Sequence, residues 1–346
     1  MIHVEAKSDE VCAIYVDMGT TNTSGWLMRG SEIISRASKP VGVRDTARER
    51  SPAKIKTALK ELVTELRMLA GDASRLCVPV CVAASGMIGS PLGLVEIPHV
   101  QAPASLTELA ASSRWVDFPE VAALPILLVP GVRSGPPQPR INLIQEADVM
   151  RGEETLSVGL LALGLAKPPA VVLNLGSHWK AIQLGGQGQI ESSVTSLSGE
   201  LIHAAQTQTI LASAVVNKRA TTIDEHWMEA GMNEQRRSGL PRALFCVRLL
   251  ELANEGTPED RLSFLIGAFI AVDLDALISR GVLARDSQVA IVGAAALAEA
   301  WRYALTQRSI SAIVLTAAEA EQALLTGLRC MLMHAWQRRV VGNATK

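Results

Sequence analysis

The hydrophobic pattern begins with VCAIYVD at residues 11–17, a near-continuous apolar run closed by an acid. Such a run predicts a strand buried on both faces, with its C-terminal end reaching a site. SGWLMRGSEIISRAS follows as two short strands about the turn Arg29-Gly30-Ser31. SPAKIKTALKELVTELRMLAGD places apolar residues at helical spacing between Ser51-Pro52 and Gly71, which predicts an amphipathic helix with readable ends. LCVPVCVAASGMIGS is a second buried strand running into a Gly-rich loop. Residues 124–165 read as two strands parted by the Pro-rich loop SGPPQPR, the second being INLIQEAD, and then a helix from about Met150.

Beyond that helix the opening pattern returns. AVVLNLGSHWKAIQLGGQGQIESS is again an apolar strand, a polar residue (Asn174 where the first copy has Asp17), a glycine-and-hydroxyl turn, a strand, a Gly turn and a strand. Two copies of one hairpin pattern predict a duplicated domain facing its copy across a cleft. The expected division is 1–147 and 148–346, with the final helix packing back on the first domain. The remainder is mostly helical, from SGELIHAAQTQTILASAVV through LPRALFCVRLLELANEG and RLSFLIGAFIAVDLDALISRG. It is interrupted by the strand and Gly turn of SQVAIVGAAALAEAWRYAL and by SAIVLT, and a closing helix starts at Ala317.

Composition narrows the function classes. With 346 residues and 48% hydrophobic against 19% charged, the chain can bury two cores. A net charge of -1 provides no global field for nucleic acid or an acidic membrane, and 3% aromatic residues provide few stacking platforms. The N-terminal MIHVEAKSDEVCAIYVD carries acids and lacks a signal-peptide pattern, and no apolar stretch is long enough for a span. Five cysteines, Cys12, Cys77, Cys81, Cys246 and Cys330, fall mostly in apolar segments, where a thiol acts as a small hydrophobe. The expectation is an untargeted cytoplasmic protein with no nucleic-acid or membrane partner, in which an apolar helix face could pair two copies.

The polar positions then carry the chemistry. A nucleoside triphosphate needs backbone N–H donors, a metal held by oxygens and exclusion of water. Gly19, Thr20, Thr21 and Asn22 can supply donors at a turn, and Asp17 can hold Mg²⁺ directly or through its waters. Gly176, Ser177 and His178 repeat the arrangement in the second copy. A single D-x-G-T also closes ordinary hairpins, whereas two copies at the ends of buried strands favour phosphate. No Walker A lysine motif and no G-x-G-x-x-G occur. Gly293 and Ala294 follow another buried strand, where small residues let a nucleobase or ribose approach, or simply let a helix pack tightly. EADVMRGEET sets Asp148, Glu153 and Glu154 beside Arg151, which gives candidates for the carboxylate that accepts a proton during phosphoryl transfer. Acids there also complement a helix N-terminus.

These residues resemble a known family. DMGTTNT is similar to the first phosphate motif of the hexokinase, actin and Hsp70 superfamily, and ADVMRGEET to the V-M-R-G-E-E-T signature of the 2-dehydro-3-deoxygalactonokinases. ASGMIGS, LNLGSHWK, SLSGEL, LFCVR and SFLIGAFIAVDL are similar to further motifs of that family, in its order. The resemblance implies an α/β, two-domain actin-like ATPase (ribonuclease H-like) fold with duplicated domains around an interdomain cleft. It also implies Mg²⁺-ATP-dependent phosphorylation of the 6-hydroxyl of 2-dehydro-3-deoxy-D-galactonate in galactonate and galactose breakdown. Carried over by residue, Asp17, Gly19 and Thr20 serve metal and phosphates, Gly176, Ser177 and His178 form the second phosphate turn, and Gly86, Met87, Gly89 and Ser90 line the sugar side. Arg151, Glu153 and Glu154 fall on the signature and Lys180 on the family lysine, with Arg151 and Lys180 suited to clamp a carboxylate.

Asp148, at the end of the expected strand INLIQEAD, is ranked ahead of Glu153 as the base. HWKA in place of H-S-K-W, and Ala271 and Asp273 in place of Gly and Glu, are departures that bear on the sugar more than on the fold. The alternatives are a kinase of the same fold for another keto acid, an N-acetylated sugar or an anhydro sugar, and a nucleotide-dependent sensor that closes without transferring phosphate.

Overall fold

The computed structural model describes residues 11–71, 73 and 77–344, with side chains described through residue 339. The polar leader, residues 1–10, lies outside the described residues. The chain divides into two compact units, the first running to Gly164 and resuming at Gln322, the second comprising Leu165–Glu321. The division thus falls after the junction helix, whereas the sequence pattern places it before.

In the first unit β1 (Cys12–Met18), β2 (Thr23–Arg29) and β3 (Glu32–Lys39) form an antiparallel meander. Every residue of β1 except Asp17 is buried, as the apolar run requires. The short α1 (Val43–Glu49) leads to α2 (Ala53–Leu69), whose Ile55, Leu59, Leu62 and Leu66 are buried at helical spacing. Gly25 of β2 makes room for this face, since a Cβ there would lie 2.9 Å from Leu62 Cδ2. β4 (Val82–Gly86) runs parallel to β1 and passes into a 3₁₀ turn, Met87–Gly89.

β5 (Val100–Gln101), α3 (Leu106–Ser112), β6 (Arg114–Val116), β7 (Ile126–Leu128), β8 (Val132–Ser134), β9 (Asp148–Met150) and α4 (Glu153–Ala162) follow. The main sheet has the order β3-β2-β1-β4-β7-β6, and a small sheet has β5-β8-β9.

INLIQEAD is not a strand. Residues Ile141–Glu146 form a 3₁₀ turn with none of its residues buried, Ile141 being 93% exposed, so its apolar letters do not mark a core. Asp148 therefore opens β9 instead of ending a strand, and α4 starts at Glu153 because Gly152, at φ +110°, breaks the chain direction. Cys12 and Cys77 are joined as a disulfide, where free thiols were expected, with their Cα atoms 5.4 Å apart. Cys81, Cys246 and Cys330 are free.

The second unit repeats the plan. β10 (Ala170–Leu175), β11 (Trp179–Leu184) and β12 (Ile190–Ser196) form the meander, followed by α5 (Ser198–Gln208), α6 (Glu225–Ser238), α7 (Leu240–Leu252) and α8 (Pro258–Ser279). β13 (Gln288–Gly293), α9 (Ala295–Thr306) and β14 (Ser311–Val314) complete the order β12-β11-β10-β13-β14. As in the first unit, the first strand pairs antiparallel on one side and parallel on the other. α6 and α8 approach at backbone distance through Gly231 and Gly267, where Cβ atoms would strike Phe264 O and Met228 O. Among the described residues α8 is the one helix long and apolar enough to cross a membrane, and it is mostly buried.

The last helix, α10 (Ala317–Ala344), returns to the first unit from Gln322 onward. There Gly159 and Gly327 let α4 and α10 touch backbone to backbone, at Ala323 O and Thr155 O.

Candidate active site

In the first unit three segments distant in sequence meet at the end of β1. Parallel pairing sets Asp17 beside Ser85 and Met18 beside Gly86, and Ser85 Oγ donates to Asp17 Oδ1 at 3.2 Å. Gly86, at φ +79°, has no space for a side chain: a Cβ would strike Met18 O and lie 2.9 Å from Asp17 Oδ1. Gly152 completes the convergence, its would-be Cβ lying 3.4 Å from Gly86 Cα and 3.9 Å from Asp17 Oδ1. Asp17 is therefore a partly buried carboxylate walled by two glycines. Burial pushes its carboxyl up to about 6, against the Ser85 hydrogen bond and with the Glu153 charge adding to the rise.

The turn after β1 is held from behind. Gly19 N donates to Asn22 O at 2.8 Å, and Arg44 N, at the start of α1, donates to Thr20 O at 3.0 Å. Gly42 allows that approach, because a Cβ there would lie 2.5 Å from Thr20 C and 2.6 Å from Gly19 O. With its carbonyls occupied, the turn is left with the amides of Thr20 and Thr21 to offer, and among the described residues no protein group accepts from them.

The signature segment separates its acids into different roles. Glu154 is fully buried and folds back on the helix start, where Gly152 N donates to both its oxygens at 2.9 and 2.8 Å. Burial pushes its carboxyl up to about 8, and the Glu153 charge adds to the rise. Glu153 is partly buried and accepts from Arg151 N at 3.2 Å. Asp148 pairs with Ser134 at the far end of β9, about 10 Å of extended chain before Arg151. The Arg151 guanidinium donates from Nη2 to Ile97 O at 2.6 Å. Its Nη1 is buried without a protein partner, beside the side-chain-free Gly89, and the adjacent Ser90 Oγ is buried and unpartnered as well. Buried polar atoms of this kind are costly unless a ligand or water completes them.

In the second unit Gly176, Ser177 and His178 form the turn between β10 and β11. His178 Nε2 lies 3.2 Å from Glu200 Oε2, both side chains being exposed. Gly199, at the start of α5, backs this turn as Gly42 backs the first, since a Cβ would strike Gly176 O and lie 2.7 Å from Ser177 O. Gly293 ends β13 opposite Leu175, the place that Gly86 holds opposite Met18, and Ala294 caps the exposed N-terminus of α9. Lys180 is 4% exposed on β11 beside Asn174, and its Nζ donates to Thr195 Oγ1 across the strands. Asp273, one of the departures, accepts from Ser196 Oγ at 2.5 Å and so ties β12 to α8; burial pushes its carboxyl up.

The structure thus brings Asp17, Gly19–Asn22, Gly86–Ser90 and Arg151–Glu154 together in the first unit, and sets Asp148 and, in its own unit, Lys180 into other contacts. The sequence reading missed Gly42, Gly199, Gly152 and His99, whose Nδ1 lies 3.4 Å from Arg151 Nη2. A signal existed for the first two: each stands three residues after the end of the third strand of its meander.

Residues 17–331 match the 2-keto-3-deoxy-galactonokinase family. The chain is 25% identical over 317 residues to the 2-dehydro-3-deoxygalactonokinase of Escherichia coli (strain K12), covering 91% of this chain and 96% of that one. A crystal structure assigned as a 2-dehydro-3-deoxygalactonokinase protein from Sinorhizobium meliloti is similar with a TM-score of 0.72 and 22% identity, over 94% of this chain and 99% of that one. The activator of 2-hydroxyisocaproyl-CoA dehydratase from Clostridium difficile with bound ADPNP is similar with a TM-score of 0.51 and 13% identity, over 95% and 97%. These likenesses, with the duplicated meander, show the actin-like ATPase fold.

Proposed function

The chain belongs to the 2-keto-3-deoxy-galactonokinase family and is a sugar-acid kinase, and we propose that it transfers the γ-phosphoryl group of ATP to the 6-hydroxyl of 2-dehydro-3-deoxy-D-galactonate in galactonate breakdown in the cytoplasm. The observation that carries this reading is the meeting of Asp17, the glycine-backed turn and the orphaned Arg151 Nη1 around the Gly86–Ser90 segment.

Asp17 fits Mg²⁺, which takes one or two carboxylates with phosphate oxygens and water completing its shell. Mg²⁺, when bound, neutralises charge on the β- and γ-phosphates. In the first unit the amides of Thr20 and Thr21 are the donors for phosphate oxygens; in the second unit the turn at Gly176–His178 and the α9 N-terminus at Gly293–Ala294 are its own phosphate and nucleotide candidates. ADPNP in the Clostridium difficile relative supports a nucleotide on this fold. Arg151 Nη1 and Ser90 Oγ take the substrate carboxylate.

Glu153 rather than Asp148 accepts the proton of the attacking hydroxyl. Its charge is felt at Asp17, whereas Asp148 is committed to the distal end of β9. Glu154, held by the Gly152 amide, positions the start of α4.

The test is ADP release with Mg-ATP and 2-dehydro-3-deoxy-D-galactonate against a panel of other keto-deoxy acids, N-acetylated and anhydro sugars, with the product located by ³¹P–¹H correlation. Turnover with the galactonate and a phosphate at position 6 is expected, and higher efficiency with another member would replace the substrate. Glu153→Gln should lower kcat by about 10²-fold or more with little change in ATP affinity. An unchanged rate in Glu153→Gln and a loss in Asp148→Asn would return the role to Asp148.

A further inference from the structure

Arg151 is clamped on one edge only. Nη2 donates to Ile97 O at 2.6 Å and faces His99 Nδ1 at 3.4 Å, while Nη1 on the other edge has no protein acceptor. Gly131 makes this packing possible: a Cβ there would lie 2.6 Å from Arg151 Cγ and 2.8 Å from His99 Cδ2. A guanidinium has donors only, so His99 Nδ1 must accept and the ring proton sits on Nε2.

We propose that His99 is a positioning residue which fixes the Arg151 guanidinium so that Nη1 is presented to the substrate carboxylate, and that it thereby sets the preference for a sugar acid over its uncharged counterpart. The inference rests on the reading of Arg151 as the carboxylate's partner. Burial pushes the His99 imidazole down to about 4, with the Arg151 and Arg133 charges adding to the fall, so the Nδ1 lone pair is available throughout the neutral range. Freed from His99, the guanidinium keeps the Ile97 carbonyl but can rotate about that single bond. Bidentate recognition of a carboxylate depends on the plane being held. His99 lines an open cavity of about 330 Å³ with Pro98, Ser112 and Arg114, so a substitution there has room without overpacking.

The experiment measures kcat and KM of the full chain with 2-dehydro-3-deoxy-D-galactonate and with its carboxamide, at saturating Mg-ATP, and separately KM for ATP. His99→Leu should lower the acid-over-amide ratio of kcat/KM by about tenfold, the size expected for one lost charge-assisted hydrogen bond, through KM for the acid and not through kcat or KM for ATP. His99→Asn, whose amide oxygen stands where Nδ1 stood, should restore the ratio. In an Arg151→Met background His99→Leu should change nothing further, because the two residues act as one unit. His99→Ala makes the same measurement should leucine not be accommodated.

A wild-type ratio in both His99→Leu and His99→Ala, or an equal loss in the Arg151→Met background, overturns the assignment of His99 alone. A wild-type enzyme that takes acid and amide equally overturns the Arg151 reading on which it stands.

Discussion

Asp17 carries a conflict between stability and function that can be measured. Its ordinary value is 3.8 and its folded value about 6, so between those values the native state binds more protons than the unfolded one. Stability therefore falls as pH rises through that window, and the loss is complete above it. A shift of about two units corresponds to at most about 3 kcal/mol for this partly buried group. Asp17→Asn should then be more stable than the wild type by up to that amount in urea unfolding at pH 7 without nucleotide, and no more stable at pH 3.5, while losing turnover. Equal stability at pH 7 would show that the buried charge costs nothing. Asp17 was legible in the sequence because an apolar run that stops on a carboxylate has few structural reasons to do so. Glu154 was legible as an acid but not as a buried one, since its burial comes from α4 as it packs in the folded unit. His99 carried no sequence signal, because its partner stands 52 residues away.

At the scale of the element, each of the two turns proposed to hold phosphate has its own glycine buttress. Gly42 and Gly199 lie behind equivalent turns in the two units, and the fold has kept the device although the sequences around them differ. Their role was hidden because each serves a segment about 22 residues upstream and neither has positive φ. Gly42→Ala should push the Gly19–Thr20 peptide outward and raise KM for ATP by about tenfold or more, with KM for the sugar acid changing much less. Gly164→Ala is the control: at φ +69° with nothing within 4 Å it should cost about 1–2 kcal/mol in stability and leave both KM values alone. An unchanged KM for ATP in Gly42→Ala would mean that the turn does not hold phosphate. The strands of both meanders, β4, β13 and β14, and the helices α2 and α8 were readable from the apolar pattern, whereas β5, β6 and β9 were not. INLIQEAD was not, because its isoleucines face solvent on a 3₁₀ turn and periodicity cannot tell an exposed apolar residue from a core one.

At the scale of the whole molecule, the duplication was legible from the repeated meander, and the return of α10 was expected, but the division at 164/165 was not. No composition shift marks it, because α4 mixes apolar and polar residues, is buried nearly all round and belongs to the first unit by packing. This connectivity makes the two units unequal as independent folders. The second is contiguous and has its own core around Leu173, Phe269, Ile291 and Trp301. The first lacks, in residues 1–164 alone, the α10 side chains Leu325, Leu328, Met331 and Leu332, all nearly inaccessible to solvent, and the Trp336 indole that meets Trp115 edge to face at 5.5 Å. Four such side chains contribute roughly 6–12 kcal/mol of burial, as much as the whole stability of an ordinary domain. A fragment 165–321 should therefore unfold cooperatively in urea, followed by the fluorescence of its own tryptophans. A fragment 1–164 should show no cooperative transition, and joining residues 322–346 to its C-terminus through a flexible linker should restore one. Cooperative unfolding of 1–164 by itself would mean that α10 is an accessory of the first unit and not part of its core.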